Sequence, residues 1–337
     1  MKNIGVIGGG SWGTALSILL SNNKHNVDVW IRDKVQAKQV EKTRKNDKYL
    51  SDVLIPEQIG VTDDLEKVIY NKDLLVLAVP SHAVRQTLNN CKNLIMKDQV
   101  LVNVAKGIEN DTLLRVSQII DEILPQNQFA VLSGPSHAEE VAKNMPTTVV
   151  SASEDKKTAK YIQDIFMSTY FRVYTNPDVI GVELGGALKN VIALGAGISD
   201  GLGYGDNTKA ALMTRGIIEI SRLGAKMGAD MSTFAGLAGI GDLIVTCTSM
   251  HSRNRRAGIL IGQGKTLDEA VELVGMVVEG IKTTMSTYNL AKKYNVKMPI
   301  TKEIYQVLYE GKDVNNSVVN LMLRDKKHEL EDIAKNR

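Results

Sequence analysis

The chain has 337 residues, a formal net charge of +3 and an apolar fraction of 43%. This length exceeds the size at which a single hydrophobic core usually stops growing, so we expect two domains. The small net charge, without basic blocks interleaved with aromatic residues, argues against nucleic acid as the main partner but is compatible with a small anionic ligand.

Cysteine usage and the N-terminus bear on the cellular setting. Cys91 and Cys247 are the only cysteines, and they lie outside any spacing typical of a structural zinc site or a disulfide framework. The chain enters a strand without a leader-like segment, and no apolar run approaches membrane-spanning length. We therefore expect a cytoplasmic protein that is neither exported nor inserted into a membrane.

The first predicted element, within residues 4–15, is a short strand that runs directly into a glycine cluster. Gly8, Gly10 and Gly13 have the Gly-x-Gly-x-x-Gly spacing. In this spacing the glycines permit a tight turn, a close approach of backbone to a pyrophosphate, and close packing of helix on strand. A helical pattern over residues 14–20 would place the pyrophosphate at the positive end of a helix. A glycine-rich turn without a ligand has the same spacing.

A second strand is predicted over residues 27–31 and ends at Arg32 and Asp33. A carboxylate at this position can bind the adenosine ribose of NAD, whereas a guanidinium can pair with the 2′-phosphate of NADP. The order of the two residues favours NADP, with a solvated surface arginine as the alternative. The helix-compatible residues 34–46, and the polar connection beyond them, are predicted to lie on the surface.

Three continuous apolar runs follow, at residues 74–79, 100–105 and 129–132. Such runs are typical of parallel strands that are buried on both faces of a sheet. Each is followed by a polar loop, and ligands bind outside the carboxyl ends of the strands in open parallel sheets. We therefore expect these loops to meet the glycine cluster at one crevice.

The strand-like runs at residues 147–152 and 171–174 are predicted to extend the sheet, with a helix over 159–168 between them. From residue 179 the pattern is helical, with segments near 180–198, 209–227, 253–262, 267–274, 281–294, 300–309 and 314–323. This change predicts an α/β dinucleotide-binding domain over residues 1–176 and an all-helical substrate domain over 177–337. The charged tail from Arg324 is expected to be a frayed or solvated helix end.

Lys189 is predicted to lie inside a helix among small and apolar residues. Gly185 and Gly186 would each cost that helix about 1 kcal/mol relative to alanine, which suggests that another segment approaches it closely. Burial would lower the pKa of the lysine towards neutral pH and make it suitable for proton transfer. The alternative is a lysine that extends from an amphipathic helix to solvent.

Two further polar sites follow in the helical part. Asp242 is a lone carboxylate in an apolar, glycine-rich stretch and needs a partner, for which a buried lysine is the obvious kind. Ser252 is a candidate N-cap, and the free N–H groups of a helix start together with Arg253 and Asn254 would form a phosphate site. The alternative is that the arginines at this helix start form a solvated face.

Several motifs together carry a resemblance to a known family. They are Gly-Gly-Gly-Ser-Trp-Gly-Thr-Ala at residues 8–15, Val-Ala-Lys-Gly-Ile-Glu at 104–109, Ser-Gly-Pro-Ser-His-Ala at 133–138, Gly-Gly-Ala-Leu-Lys-Asn at 185–190, Gly-Ile-Gly-Asp-Leu at 239–243, Ser-Arg-Asn-Arg at 252–255 and Val-Val-Glu-Gly at 277–280. In this order they resemble the bacterial NAD(P)-dependent glycerol-3-phosphate dehydrogenases over most of the chain.

The resemblance implies a Rossmann-type N-terminal domain and reversible hydride transfer between a nicotinamide cofactor and dihydroxyacetone phosphate. The product is sn-glycerol 3-phosphate, the backbone precursor of membrane phospholipids. The resemblance implies no metal and leaves the choice of cofactor open, and Arg32 favours NADPH over NADH. By the same resemblance Lys189 exchanges the proton with the C2 oxygen, and Lys106 and Asn190 help to hold that oxygen and the neighbouring hydroxyl. Asp242 orients Lys189 and tunes its charge.

The resemblance also assigns contacts to the two ligands. Lys106, Lys189 and Asp242 would contact the substrate together with Gly134, Ser136, Ser252, Arg253 and Asn254. The cofactor would be contacted by the glycine cluster and by Ser11, Trp12, Arg32, Lys106, Ala138, Arg253, Val277 and Glu279, with Glu279 on the nicotinamide side.

Two other functions remain as alternatives at this point. A related two-domain reductase could act on a carboxylated substrate, although the Ser-Arg-Asn helix start argues against it. A non-catalytic nucleotide-binding redox sensor would need the glycine cluster but would have no need for both lysines and Asp242. The expected partner is a small molecule, and a homodimer is one of the oligomeric states that the sequence leaves open.

Overall fold

The computed structural model describes residues 1–326 and residue 329. Strands and helices alternate up to Asn176: β1 (Asn3–Ile7), α1 (Ser11–Asn22), β2 (Asn26–Trp30), α2 (Lys34–Thr43), β3 (Lys45–Asn46), β4 (Leu50–Leu54), β5 (Gly60–Thr62), α3 (Leu65–Ile69), β6 (Leu74–Leu77), α4 (Val84–Cys91), β7 (Val100–Asn103), α5 (Val116–Ile123), β8 (Phe129–Ser133), α6 (Ala138–Ala142), β9 (Thr147–Ala152), α7 (Lys156–Phe166) and β10 (Phe171–Asn176).

Only helices follow in the described part of the chain. They are α8 (Val179–Gly201), α9 (Asp206–Lys226), α10 (Asp242–Thr248), α11 (Arg253–Gly262), α12 (Leu267–Val274), α13 (Glu279–Lys293), α14 (Pro299–Tyr309) and α15 (Val314–Met322). The predicted change from an α/β pattern to a helical one is therefore confirmed. The expectation for the charged tail falls mostly outside the described residues, and α15 ends before Arg324.

The main sheet has eight strands in the order β10-β9-β8-β7-β6-β1-β2-β5. The strands from β8 to β5 are parallel to one another, and the residues of β6 are fully buried, as expected for strands covered on both faces. The last two predicted strands do extend the sheet, but β9 pairs with β8 in the antiparallel direction. No pattern in the sequence indicated this reversal.

The glycine cluster adopts the turn that its spacing predicts. Gly8 has a φ of +119°, a backbone conformation that favours glycine. A Cβ added to Gly13 would lie 1.8 Å from the carbonyl oxygen of Gly8, so helix α1 and the turn could not pack this closely with any larger residue. The cluster thus joins β1 to the start of α1 at the carboxyl edge of the sheet.

The stretch after α2 corrects one prediction. The predicted helix over residues 34–46 ends at Thr43, and β3 and β4 then form a small antiparallel hairpin. Within it Asn46 is only 1% exposed, so the prediction of a surface stretch is wrong at this residue. The physical reason is that the hairpin folds against the glycine cluster.

Helix α8 is the core of the helical part. The expectation that no apolar run approaches membrane-spanning length is wrong for this helix, since its length and apolar composition would suffice. However, 94% of its apolar window is buried inside the protein, as in the core helix of a folded domain. Glycines let α11 approach it closely, since a Cβ at Gly197 would lie 2.1 Å from the Arg255 carbonyl oxygen and one at Gly258 would lie 2.2 Å from that of Leu194. This contact places the start of α11 beside the middle of α8.

The close approach predicted at Gly185 and Gly186 is confirmed. A Cβ at Gly185 would lie 2.5 Å from the Ala238 carbonyl oxygen, and one at Gly186 would lie 2.5 Å from the Ser133 hydroxyl oxygen at the end of β8. Helix α8 therefore packs directly on the sheet edge. The sequence did not predict α10, which follows a short π-helical turn at Leu237–Gly241.

Candidate active site

A cavity of about 490 Å³ lies between the carboxyl ends of the central strands and the helices α8, α11 and α13. Most of the residues that the sequence singled out line it. They are Gly8, Gly10, Ser11, Trp12, Arg32, Lys106, Ser136, Ala138, Lys189, Asn190, Ser252, Arg253, Asn254, Val277 and Glu279. The predicted convergence of the strand-end loops on one crevice is therefore confirmed.

Gly13, Gly134 and Asp242 lie behind the cavity wall. Gly13 packs against the turn at Gly8. The carbonyl oxygen of Gly134 accepts a hydrogen bond from Lys106 Nζ at 2.9 Å, so this residue holds a side chain of the wall. Asp242 is 1% exposed and lies beneath two lysines.

Those lysines and Asp242 form a buried ion-pair cluster. Lys189 Nζ pairs with Asp242 Oδ1, and Lys106 Nζ lies 2.7 Å from Asp242 Oδ2. Lys189 also donates to the hydroxyl of Thr246 at 2.6 Å, and this hydroxyl donates to the main-chain oxygen of Asp242 at 2.6 Å. The predicted need of Asp242 for a cationic partner is thus met twice, which leaves the cluster with excess positive charge beside the cavity.

Lys189 is 5% exposed, so it does not extend to solvent. Burial lowers the pKa of its ammonium group to about 8, with the charge of Lys106 acting in the same direction and that of Asp242 opposing it. A group with this pKa can hold or release a proton close to neutral pH.

A row of buried amides connects the helices around this cluster. Asn254 Nδ2 donates to Asn190 Oδ1 at 2.9 Å, and the main-chain N–H of Gly280 donates to Asn254 Oδ1 at 2.8 Å. Asn190 Nδ2 reaches the carbonyl oxygen of Lys106 at 3.4 Å. Helices α8, α11 and α13 are thereby tied to the loop after β7.

Two of the three arginines at the start of α11 have clearly different roles. Ser252 is the N-cap, as predicted, since its hydroxyl oxygen accepts from the Arg255 N–H at 3.2 Å. Arg255 is paired with Asp200 at 2.7 Å. Arg253, by contrast, has no ion-pair partner among the described residues, and burial lowers the pKa of its guanidinium. The solvated-face alternative is wrong for both, and Arg253 is a cation aimed at the cavity.

The glycine cluster fits the pyrophosphate of a dinucleotide. A Cβ at Gly10 would meet no atom within 4 Å, so its backbone faces open space on the cavity side. The buried indole nitrogen of Trp12 has no hydrogen-bond partner among the described residues, which leaves a donor for a ligand. Helix α1 begins at this point and adds free N–H groups.

The end of β2 separates Arg32 from Asp33. Asp33 is the N-cap of α2, and its Oδ1 accepts from the N–H groups of Val35 at 2.9 Å and Gln36 at 3.1 Å. One oxygen of its carboxylate is thereby held by the helix, although Asp33 lines the cavity together with the exposed Arg32.

Glu279 joins the two parts of the molecule across the cavity. It is the first residue of α13, and its carboxylate accepts from the N–H of Ser81 at 3.0 Å and from the Ser81 hydroxyl at 2.7 Å. Ser81 follows β6, so the contact ties the helical part to the sheet.

Several cavity residues were missed from the sequence. Thr246 lies four residues after Asp242, a spacing that puts both on one face of a helix, but α10 itself was not predicted. His137 and His251 also line the cavity, with ring centroids 5.7 Å apart. Further residues of the wall are Gln36, Lys48, Tyr49, His82, Glu139 and Met276. Within the described residues no group of histidine, cysteine and carboxylate side chains is arranged to hold a metal ion.

Comparisons with known proteins agree on one family. A family model described as the N-terminus of NAD-dependent glycerol-3-phosphate dehydrogenase matches residues 3–159, and the model of its C-terminus matches residues 178–319. A protein of Thermoanaerobacter named as an NAD(P)+ glycerol-3-phosphate dehydrogenase is 58% identical over 330 residues, which are 98% of this chain and 99% of that protein.

Solved structures show the same likeness. A glycerol-3-phosphate dehydrogenase of Coxiella burnetii superposes with a TM-score of 0.93 at 36% identity and covers 96% of this chain and 99% of its own. A ketopantoate reductase of Ralstonia eutropha has a TM-score of 0.60 at 14% identity over 91% of this chain and 97% of its own, which is a likeness of fold alone.

Proposed function

Because the chain belongs to the family of NAD-dependent glycerol-3-phosphate dehydrogenases, we propose that its cavity reduces dihydroxyacetone phosphate reversibly to sn-glycerol 3-phosphate. The chain is an NAD(P)-dependent oxidoreductase. A nicotinamide cofactor, when bound, supplies or accepts the hydride, and the side chains of the cavity bind, orient and exchange the proton.

The observation that carries this proposal is the buried cluster of Lys106, Lys189 and Asp242 at the cavity wall. Hydride addition to a ketone builds negative charge on the carbonyl oxygen, and fixed positive charge in a buried site stabilises that state more than the ground state. Lys189 gives its proton to the C2 oxygen, while Lys106 and Asn190 hold this oxygen and the neighbouring hydroxyl. Asp242 keeps Lys189 in place and raises its pKa against the effect of burial.

The substrate phosphate lies at the start of α11 in this proposal. Arg253 provides the charge, and Ser252 and Asn254 provide polar contacts beside the free N–H groups of the helix. Ser136 borders the substrate from the loop after β8, and Gly134 supports this border from behind the wall. Their hydrogen bond, from the Ser136 hydroxyl to the Gly134 carbonyl oxygen at 2.9 Å, fixes the shape of that loop.

The cofactor occupies the opposite end of the cavity, and NADPH is the preferred form. The pyrophosphate lies at the glycine cluster near Ser11 and Trp12, and Ala138, Val277 and Glu279 border the nicotinamide half. Support for NADPH comes from the exposed Arg32 at the cavity, whereas Oδ1 of the neighbouring Asp33 is held by N–H groups of α2. The 2′-phosphate of NADPH would meet the guanidinium of Arg32 at the end of β2.

Arg32→Asp should reverse this preference, because a carboxylate accepts the ribose hydroxyl of NADH and repels the 2′-phosphate. The measurement is kcat/KM for NADPH divided by that for NADH, in wild type and variant. An unchanged ratio would show that another residue of the cavity makes the choice.

The test of the reaction itself is NADPH and NADH oxidation with dihydroxyacetone phosphate as the substrate. A reductase for carboxylated substrates would instead turn over 2-oxo acids, and a redox sensor would bind the cofactor without turnover. Oxidation that depends on dihydroxyacetone phosphate supports the proposal, and its absence with either cofactor would overturn it.

We also infer that the chain divides near Asn176 into domains over residues 1–176 and 177–337. Strand β10 ends at Asn176. The N-terminal family model ends at residue 159 and the C-terminal one begins at residue 178, on either side of this point.

The product would supply phospholipid synthesis from the cytoplasm, where the two buried cysteines can remain free thiols. The possible homodimer can be tested by sedimentation velocity.

A further inference from the structure

Asn46, on strand β3, is a buried amide outside the cavity wall. Its side chain makes three hydrogen bonds to three different segments. Gln36 Nε2 of α2 donates to Asn46 Oδ1 at 3.0 Å. Asn46 Nδ2 in turn donates to the carbonyl oxygen of Gly9 at 2.9 Å and to the hydroxyl oxygen of Thr14 at 2.9 Å. One side chain thereby ties α2 and the hairpin to the glycine cluster.

The bond to Gly9 bears directly on cofactor binding. A peptide unit is planar, so holding the Gly9 carbonyl from one side also fixes the direction of the Gly10 N–H. Glycine has a wide choice of backbone conformations, and Gly10 has open space where a Cβ would lie. The turn therefore needs contacts from outside to remain in one conformation.

The hairpin supplies a second contact at the same turn. The Ser11 hydroxyl donates to the carbonyl oxygen of Tyr49 at 2.7 Å, and Tyr49 lies between β3 and β4. The glycine cluster is thus held from the hairpin on both sides of Gly10.

We propose that Asn46 is a positioning residue that sets the glycine cluster in the conformation that receives the cofactor pyrophosphate. This inference rests on the proposed dehydrogenase function. If only a fraction of the molecules have the turn in the binding conformation, the apparent affinity for the cofactor is the intrinsic affinity multiplied by that fraction. Loss of Asn46 should therefore weaken cofactor binding, while the cluster around Asp242, whose hydrogen bonds involve none of the partners of Asn46, keeps its geometry.

The test is the NADPH dissociation constant of Asn46→Ala, measured by fluorescence titration, together with KM and kcat. The dissociation constant and the KM for NADPH should rise by about tenfold or more, which is the loss expected when hydrogen bonds of this kind are removed. The kcat at saturating NADPH should remain close to that of wild type. A rise in the dissociation constant and KM for NADPH with an unchanged kcat would not follow from a general loss of stability.

Gln99 offers a matched control, because it is a buried amide with a similar set of contacts far from the cavity. Its Nε2 donates to the carbonyl oxygens of Ile69 at 2.8 Å and Lys72 at 2.9 Å, and its Oε1 accepts from the Met96 N–H at 2.8 Å. Gln99→Ala should lower the melting temperature as Asn46→Ala does and leave the NADPH dissociation constant unchanged.

Asn46→Asp provides a second variant of the same size if Asn46→Ala does not fold. It retains the acceptor for Gln36 but replaces the donors to Gly9 and Thr14 by an acceptor oxygen, so NADPH binding should weaken at least as much. Wild-type affinity in a folded Asn46 variant, or an equal loss in Gln99→Ala, would overturn the inference. Failure of the wild type to bind NADPH would instead overturn the proposed function.

Discussion

Among the carboxylates buried in the helical part of this molecule, Asp242 and Glu219 are satisfied in different ways. Asp242 is 1% exposed and is paired with the ammonium groups of Lys189 and Lys106. Glu219, on α9, is 3% exposed and accepts from the N–H groups of Ile300 at 2.8 Å and Thr301 at 3.2 Å, in the first turn of α14. Asp242 forms ion pairs with two ammonium groups, whereas Glu219 caps the N-terminus of α14.

The difference determines what each site can do. Backbone N–H groups cannot give up a proton near neutral pH and Glu219 does not line the cavity, so the contact at Glu219 joins α9 to α14. Ammonium groups can do so when burial lowers their pKa, and the cluster at Asp242 faces the cavity. Asp33 follows the pattern of Glu219, since it caps α2 and leaves Arg32 free.

The largest effect is expected for Lys189→Met, which removes the proton donor and retains most of the side-chain volume. The kcat for reduction of dihydroxyacetone phosphate should fall by about two to four orders of magnitude, because a positioned acid is lost. Cofactor binding, measured by fluorescence titration, should be retained. Glu219→Gln is the matched control at a buried carboxylate that does not line the cavity, and it should leave kcat unchanged. Near-normal turnover in Lys189→Met would transfer the role of the acid to Lys106.

A smaller effect is expected for Arg253→Ala, because it removes an unpaired cation at some distance from the reacting carbonyl. The loss should be on the order of 1.5 to 3 kcal/mol in kcat/KM for dihydroxyacetone phosphate. Dihydroxyacetone without the phosphate should react slowly with wild type even at saturation, since remote binding energy orients the ketone. With this truncated substrate Arg253→Ala should change the rate little.

Arg255→Ala is the control for this substitution, because it removes an arginine of the same helix that is paired with Asp200. Its effect should be on stability and should not distinguish the two substrates. An equal loss with both substrates in Arg253→Ala would place the phosphate site elsewhere.

The pH dependence of the reaction tests whether Lys189 is the group that exchanges the proton and whether Asp242 raises its pKa. Reduction needs Lys189 protonated, so kcat/KM should fall by up to about tenfold per pH unit above the Lys189 pKa of about 8. The reverse oxidation needs the neutral amine and should fall below that pH. Asp242→Asn removes a charge that raises this pKa, so the midpoint should move to lower pH. A midpoint that is the same in this variant and in wild type would exclude Lys189 as the titrating group.

The sequence predicted the parts of this arrangement that depend on local pattern. The apolar runs predicted the buried strands, and the glycines at 185 and 186 predicted a close approach to α8. The isolation of Asp242 predicted a buried cation as its partner, although not that two lysines share it. The strands follow from the burial of apolar surface, and the partner of Asp242 follows from the cost of burying an unpaired charge.

The contacts that depend on tertiary geometry were not predicted. Asn46 lies in a polar stretch that is typical of surface, and only the folding of the hairpin onto the glycine cluster buries it. The pairing of Ser81 with Glu279 joins residues 198 positions apart and has no local signal. The same is true of Glu219, whose burial on α9 depends on where α14 begins.

The smallest effect on catalysis is expected at Glu219, where the change should appear in stability alone. Burial raises the pKa of this carboxyl from 4.5 to about 7 in the folded protein. A raised pKa means that the folded state favours the protonated form. Its contribution to the free energy of unfolding is therefore fully present below about pH 4.5 and is lost as the pH rises through about 7. The total loss should be on the order of 1 to 3 kcal/mol.

Glu219→Gln imitates the protonated carboxyl at every pH, so this variant should lack that loss. Urea unfolding of wild type and variant at pH 5 and pH 8 measures it. The two proteins should have similar free energies of unfolding at pH 5, and the variant should be the more stable at pH 8. A difference that does not change between these pH values would show that Glu219 remains ionised in the folded protein. In that case the N–H groups of α14 would be sufficient to stabilise a buried carboxylate, without the ammonium groups that Asp242 has as partners.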